Sequence, residues 1–142
     1  MALISLLGLF LGAYLTLYKF GFIGSLACGV SSCEQVQTSR WSVFLGLPVA
    51  TWGMGFYVGM LGLTIVGLQD RYADSMGLAQ LTLALAAIGA VFTAWLNYLE
   101  AFVIHAWCEW CLFSAGMVLV LFILAVLDYL DVREGVSFES PL

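Results

Sequence analysis

Four stretches of about twenty mostly apolar residues dominate this chain: residues 2–20 (ALISLLGLFLGAYLTLYKF), 47–68, 77–104 and 108–130. A helix needs roughly 20 such residues to cross the hydrocarbon core of a bilayer. Four of them in 142 residues leave little sequence for anything else. The composition agrees, with 63% hydrophobic and 9% charged residues, where soluble domains carry about 25% charged. The expected fold is therefore all-α, a four-transmembrane-helix bundle forming a single domain over residues 1–142. The polar turn QDRYADSM, residues 69–76, joins the second and third spans. Pro48 suits the first turn of the second helix, where a missing N–H is no loss. Gly8 with Gly12, and Gly55 with Gly59, have the small-xxx-small spacing that lets membrane helices approach closely.

The start of the chain has no Lys or Arg before the first apolar run, which sets it apart from a cleaved signal peptide. Nine acidic and four basic residues give a net charge of −5 and form no basic patch, so nucleic-acid binding has no support in the sequence.

Four crossings put the external loop, residues 21–46, on the same membrane face as the start of the fourth span. All four cysteines, Cys28, Cys33, Cys108 and Cys111, then share one side. Trp41, Trp107 and Trp110 fall at that interface, where tryptophan is enriched. Charge does not orient the bundle: Lys19 and Arg40 lie on the cysteine face, Arg71 and Arg133 on the other. Disulfide chemistry favours an oxidising compartment for the cysteine face. The expectation is a multi-pass protein of the cell inner membrane with its cysteines periplasmic or extracellular.

The stretch HAWCEWCLFSAG, residues 105–116, sets a C-x-x-C pair at the lip of the fourth span. At a helix N-terminus the dipole and free N–H groups stabilise a thiolate on the first cysteine, Cys108. Glu109, between the two, opposes it. The other pair, Cys28 and Cys33, is spaced C-x4-C among Gly, Ser and Val. A flexible pair facing a helix-anchored pair suggests a dithiol relay, in which electrons enter at the loop, cross through a mixed disulfide and leave at membrane level. The acceptor that suits this depth is a lipid-soluble quinone. Two other readings remain open: a zinc site made by all four cysteines, which the C-x-x-C half suits, and a non-catalytic protein with structural disulfides.

Asn97 and Glu100 share a face of the third helix near the cysteine side. An ionisable group inside a membrane span is a functional candidate by default. Glu100, together with His105, the only histidine, forms a candidate proton path for quinone reduction.

CGVSSCEQVQTSRWSVFLGLP followed by AWCEWC resembles the vitamin K epoxide reductase family, above all its bacterial members. The order matches: loop cysteine pair, serine-bearing segment with an Arg-Trp step, then C-x-x-C opening the fourth helix. A DsbB-type oxidase, the nearest rival, has its pairs in the reverse order. The resemblance implies that Cys28 exchanges with a thioredoxin-like (DsbA-like) partner, that Cys33 relays to Cys108, and that Cys111 faces the quinone. Ser39 matches the family's quinone-holding serine or threonine, and in this reading Asn97 is a second hydrogen-bond donor and the segment from Arg40 to Gly46 covers the ring. The C-x4-C spacer is short for the family. Vertebrate members carry a tyrosine where this chain has Ala115, and no asparagine stands near the start of the second span. The implied acceptor is therefore ubiquinone or menaquinone, or a related vitamin K-type quinone, rather than vitamin K epoxide. Many bacterial relatives carry a fused thioredoxin-like domain. This chain ends at Leu142 without one, so a separate DsbA-like protein is the expected source of electrons.

Overall fold

The structure, a computed structural model, describes residues 1–24 and 33–139, with side chains to Gly135. Its elements run in the order α1 (Ala2–Lys19), α2 (Cys33–Thr38), a 3-10 turn (Arg40–Ser42), β1 (Val43–Phe44), β2 (Leu47–Pro48), α3 (Val49–Gly67), α4 (Met76–Leu99), a π turn (Glu100–Ile104) and α5 (Glu109–Glu139). Four helices, α1, α3, α4 continued through the π turn, and α5, are long and apolar enough to cross a membrane. The protein is a helical membrane bundle in which α1 packs along α3 and α4 along α5.

Lipid tails are as apolar as leucine, so helices in a bilayer are held by close packing rather than by escape from water. Small residues make that packing here. The buried stripe of α1 is Ser5, Gly8, Leu11, Gly12, Leu15 and Thr16. A Cβ at Gly8 would collide with the Tyr57 ring of α3, and one at Gly89 of α4 with the Phe56 ring. Phe56 and Tyr57 thus lie in slots cut into both neighbours of α3. The second glycine pair behaves unequally: Gly59 faces Leu85, whereas among the described residues nothing lies within 4 Å of a Cβ at Gly55. The outward faces carry Phe10, Ile88 and Val91, all exposed, which suits contact with lipid.

Two apolar clusters divide the interior. One, holding Tyr57, Met60, Ala86, Val118, Leu121 and Ala125, ties the mid-bundle together. The other joins Leu11 and Leu15 of α1 to Cys33 and Val36 of α2, and to Ala106, Cys108 and Met117. This second cluster seats the loop segment on the bundle end.

Between α2 and α3 the chain makes a two-residue hairpin, with Val43 paired to Pro48 and Phe44 to Leu47. Its central residues, Leu45 (φ 52°) and Gly46 (φ 81°), both have the positive φ of a type I′ turn. Pro48 sits in β2 as the residue capping α3, one step before the helical turn where its sequence position suggested it. Phe44 lies against Trp52, Phe92 and Trp95 at 5.7–6.0 Å between ring centroids, and Trp52 Nε1 donates to its carbonyl at 2.9 Å. The hairpin is thereby fastened across α3 and α4.

The far end of α4 is irregular. Ser75 caps its start by accepting from the Leu78 N–H, but at Glu100 the helix widens into the π turn, which His105 ends at φ 56°. Isolated π turns are often found at functional sites.

Candidate redox site

The C-x-x-C pair is built by the start of α5. Cys108 stands just before its first residue, Glu109, in the N-cap position, and its carbonyl accepts the Leu112 N–H at 3.0 Å. A side chain at that position ordinarily accepts from the second and third N–H groups of the helix, here those of Trp110 and Cys111. Cys108 and Cys111 carry free thiols. A hydrogen bond from the Cys111 thiol, helped by those two backbone N–H groups, holds the Cys108 thiol below the ordinary cysteine value against the opposing effects of burial and the Glu100 charge. The carboxylate that opposes the Cys108 thiolate in the structure is Glu100, whereas the sequence points to Glu109.

Glu100 is 3% exposed. The π turn aims its carboxyl back at the C-x-x-C pair, where Oε2 accepts the Cys108 N–H at 3.4 Å. The Glu100 carbonyl accepts from the Ala106 N–H at 3.2 Å, which closes the turn.

Cys33 is wholly buried, in the same apolar cluster as Cys108, and is held in a disulfide. Cys28 lies outside the described residues. The short helix α2 is fastened by Lys19 at the end of α1. Its ammonium donates to the Gln37 carbonyl and to Ser42 Oγ, both at 2.8 Å, and Ser42 Oγ donates to the Ser39 carbonyl at 2.7 Å.

A cavity of about 110 Å³ opens beside Cys111. Its lining includes Gly12 of α1, Gln37 of α2, Phe56 of α3, Asn97 of α4, Glu100 and Cys111. A dry apolar cavity of roughly 150 Å³ can take a benzene ring, and this space is somewhat smaller. Few of its lining side chains are polar. Tyr57 and Ser114 hydrogen-bond to each other at 2.8 Å. Asn97 Nδ2 donates to the Thr93 carbonyl at 2.9 Å, while Asn97 Oδ1 is buried without a partner among the described residues. An orphaned acceptor of this kind calls for a donor from whatever fills the space. A smaller cavity, of about 40 Å³, shares Gln37, Glu100 and Cys111 with the first and adds Ser39, Trp41 and Ser42.

The expected site residues therefore separate. Asn97, Glu100 and Cys111 line the larger cavity. Ser39 lines only the smaller one, with its hydroxyl donated to the Val36 carbonyl at 2.9 Å. His105 is exposed and lines neither. Gln37 was missed. Its Nε2 donates to Cys111 Sγ at 3.6 Å, and its spacing of four from Cys33, one helical turn, was the available signal. Tyr57 and Ser114 were also missed, because nothing in an apolar run marks which hydroxyl faces inward. Among the described residues, no three His, Cys, Asp or Glu side chains are grouped to hold a metal ion.

A paired thiol at a helix lip, a buried third sulfur in the same apolar cluster as Cys108 and a small, mostly apolar cavity against Cys111 form a membrane redox arrangement. The sequence model of the vitamin K epoxide reductase family matches residues 1–126, and this multi-pass membrane oxidoreductase belongs to that family.

Proposed function

We propose that the protein oxidises the dithiol of a thioredoxin-like (DsbA-like) carrier and passes the electrons to a membrane quinone, thereby supporting disulfide formation. The cysteine face would lie on the periplasmic or extracellular side of the inner membrane. The observation that carries the reading is the juxtaposition of Cys111 with the cavity that Asn97 and Glu100 also line. A quinone bound there supplies the oxidant, ubiquinone or menaquinone by chemistry, taking up two electrons and two protons.

The residues divide the work in order. The carrier reduces the Cys28–Cys33 disulfide by exchange at Cys28. The Cys33 thiolate attacks Cys108 Sγ of an oxidised C-x-x-C pair; the Cys108–Cys111 bond breaks, a Cys33–Cys108 bond forms, and Cys111 leaves with the electron pair. Cys28 then attacks Cys33, restoring the loop disulfide and freeing Cys108. Closing the Cys108–Cys111 disulfide again releases two electrons and two protons in the direction of the cavity. Asn97 orients the acceptor, and its Oδ1 suits the hydroxyl of the quinol product. Ser39 acts at the edge of the site through the smaller cavity. Glu100, buried between the thiol pair and the cavity, moves the protons, with His105 as an outer exchange point at the surface.

The relay is tested by replacing Cys28 and Cys111 with alanine and mapping disulfides by mass spectrometry without reduction. The expected product is a stable Cys33–Cys108 bond, and its absence under oxidising conditions overturns the relay order. Glu100→Gln is expected to leave that bond intact while slowing quinone turnover by about 10²-fold, the usual size of a lost acid–base group. Stoichiometric zinc with protected thiols in the purified protein would instead support the structural reading.

A further inference from the structure

Gln37 occupies a position that the relay leaves unused. It is 7% exposed, stands one helical turn beyond Cys33 in α2, and lies in the wall between the two cavities. Its two ends are engaged differently. The backbone carbonyl accepts from Lys19 Nζ at 2.8 Å, and the side-chain amide donates to Cys111 Sγ at 3.6 Å. A six-residue helix has little stability of its own, so the Lys19 tether places the amide.

An N–H bond to sulfur is weak while the sulfur is a thiol and much stronger once it is an anion. Water-poor surroundings amplify that difference. Cys111 becomes an anion in the relay when Cys33 attacks Cys108 and Cys111 departs with the electron pair. Among the described residues, the titratable groups in or against its cluster or lining its cavity are Cys33 of α2, Cys108 on the same helix end, Glu100 from the π turn, Tyr14 and Tyr18 of α1, and Tyr57 of α3. A carboxylate at Glu100 repels a thiolate, whereas the Gln37 amide attracts one. Resting on the electron-transfer reading above, we propose that Gln37 is a positioning residue, which fixes the Cys111 sulfur at the cavity wall and stabilises its thiolate at each turnover. It would also tie the loop cysteine to the membrane-level one, because Cys33 and Gln37 move as one helical turn.

The test needs neither quinone nor carrier. In full-length protein with Cys108→Ala, iodoacetamide alkylation is followed at the Cys111 peptide by mass spectrometry over a range of pH. Adding Gln37→Leu is expected to slow the reaction about tenfold at neutral pH, and Gln37→Glu by more, because one pH unit of displacement is a tenfold change. The limiting rate at high pH stays the same. Superimposable profiles in either folded variant would overturn the proposal, as would an equal slowing at every pH, which signals altered access. Should Gln37→Leu fail to fold, Gln37→Met, which keeps the length of the side chain but has no N–H to donate, decides in its place. A null result here leaves quinone reduction standing, and a failed quinone assay leaves a displaced profile intact.

Discussion

At the residue scale, the two sulfurs of the C-x-x-C pair sit differently: Cys108 is wholly buried, whereas Cys111 lines the cavity. Cys108 sits where a helix N-cap normally places an oxygen, and the Cys111 thiol and the first N–H groups of α5 hold its thiol below the ordinary value. The sign gives a prediction. A depressed value means that the thiolate, and with it alkylation at Cys108, persists to lower pH than for a free cysteine and is lost only as pH falls through the depressed value. Cys111→Ala removes the first of these causes. The pH profile of Cys108 alkylation is then expected to move upward, and an unmoved profile would show that the Cys111 thiol has no part in it. The sequence carried half of this picture, since a cysteine at the start of a helical run reads as dipole-stabilised. It could not carry the part played by Glu100, because a π turn redirects that carboxyl by a change of winding that no periodicity reveals.

At the element scale, the apolar runs were legible because length and composition alone decide whether a helix spans a membrane. The short elements were not. α2 has six residues and is held by the Lys19 bond and by burial of Cys33 and Val36, neither of which is a local signal. The hairpin at Leu45–Gly46 has glycine in only one of its two positive-φ positions, so its turn signature is weak. Glycine spacing was informative but not selective: it named Gly55 along with Gly8, and only Gly8 receives a neighbouring ring. Gly8→Ala is therefore expected to lower stability by about 1–3 kcal/mol through overpacking against Tyr57. Gly55→Ala is expected to be neutral or to stabilise by roughly 0.5–1 kcal/mol, as alanine does over glycine in a helix. Thermal unfolding of both variants in the same detergent compares them, and equal losses would contradict the asymmetric packing.

At the scale of the whole molecule, the bundle does two separate things. Its outer faces carry large apolar side chains to meet lipid, while its buried carboxyl and amide groups, Glu100 and Gln37, lie at the cysteine end. Cys33, Cys108 and Cys111 are brought together by elements far apart in sequence, α2 and the start of α5, through α1 as the shared floor. Counting spans predicted that shared end; the depth of burial and the cavity beside Cys111 depend on side-chain packing that no count supplies. The central claim is that electrons leave the protein at Cys111 into a quinone in that cavity. The most direct measurement is the loss of quinone absorbance when reduced DsbA-like carrier is added to the purified protein in lipid. The account predicts stoichiometric conversion to quinol by the wild type and none by Cys111→Ala, whereas quinone turnover that survives Cys111→Ala would contradict it.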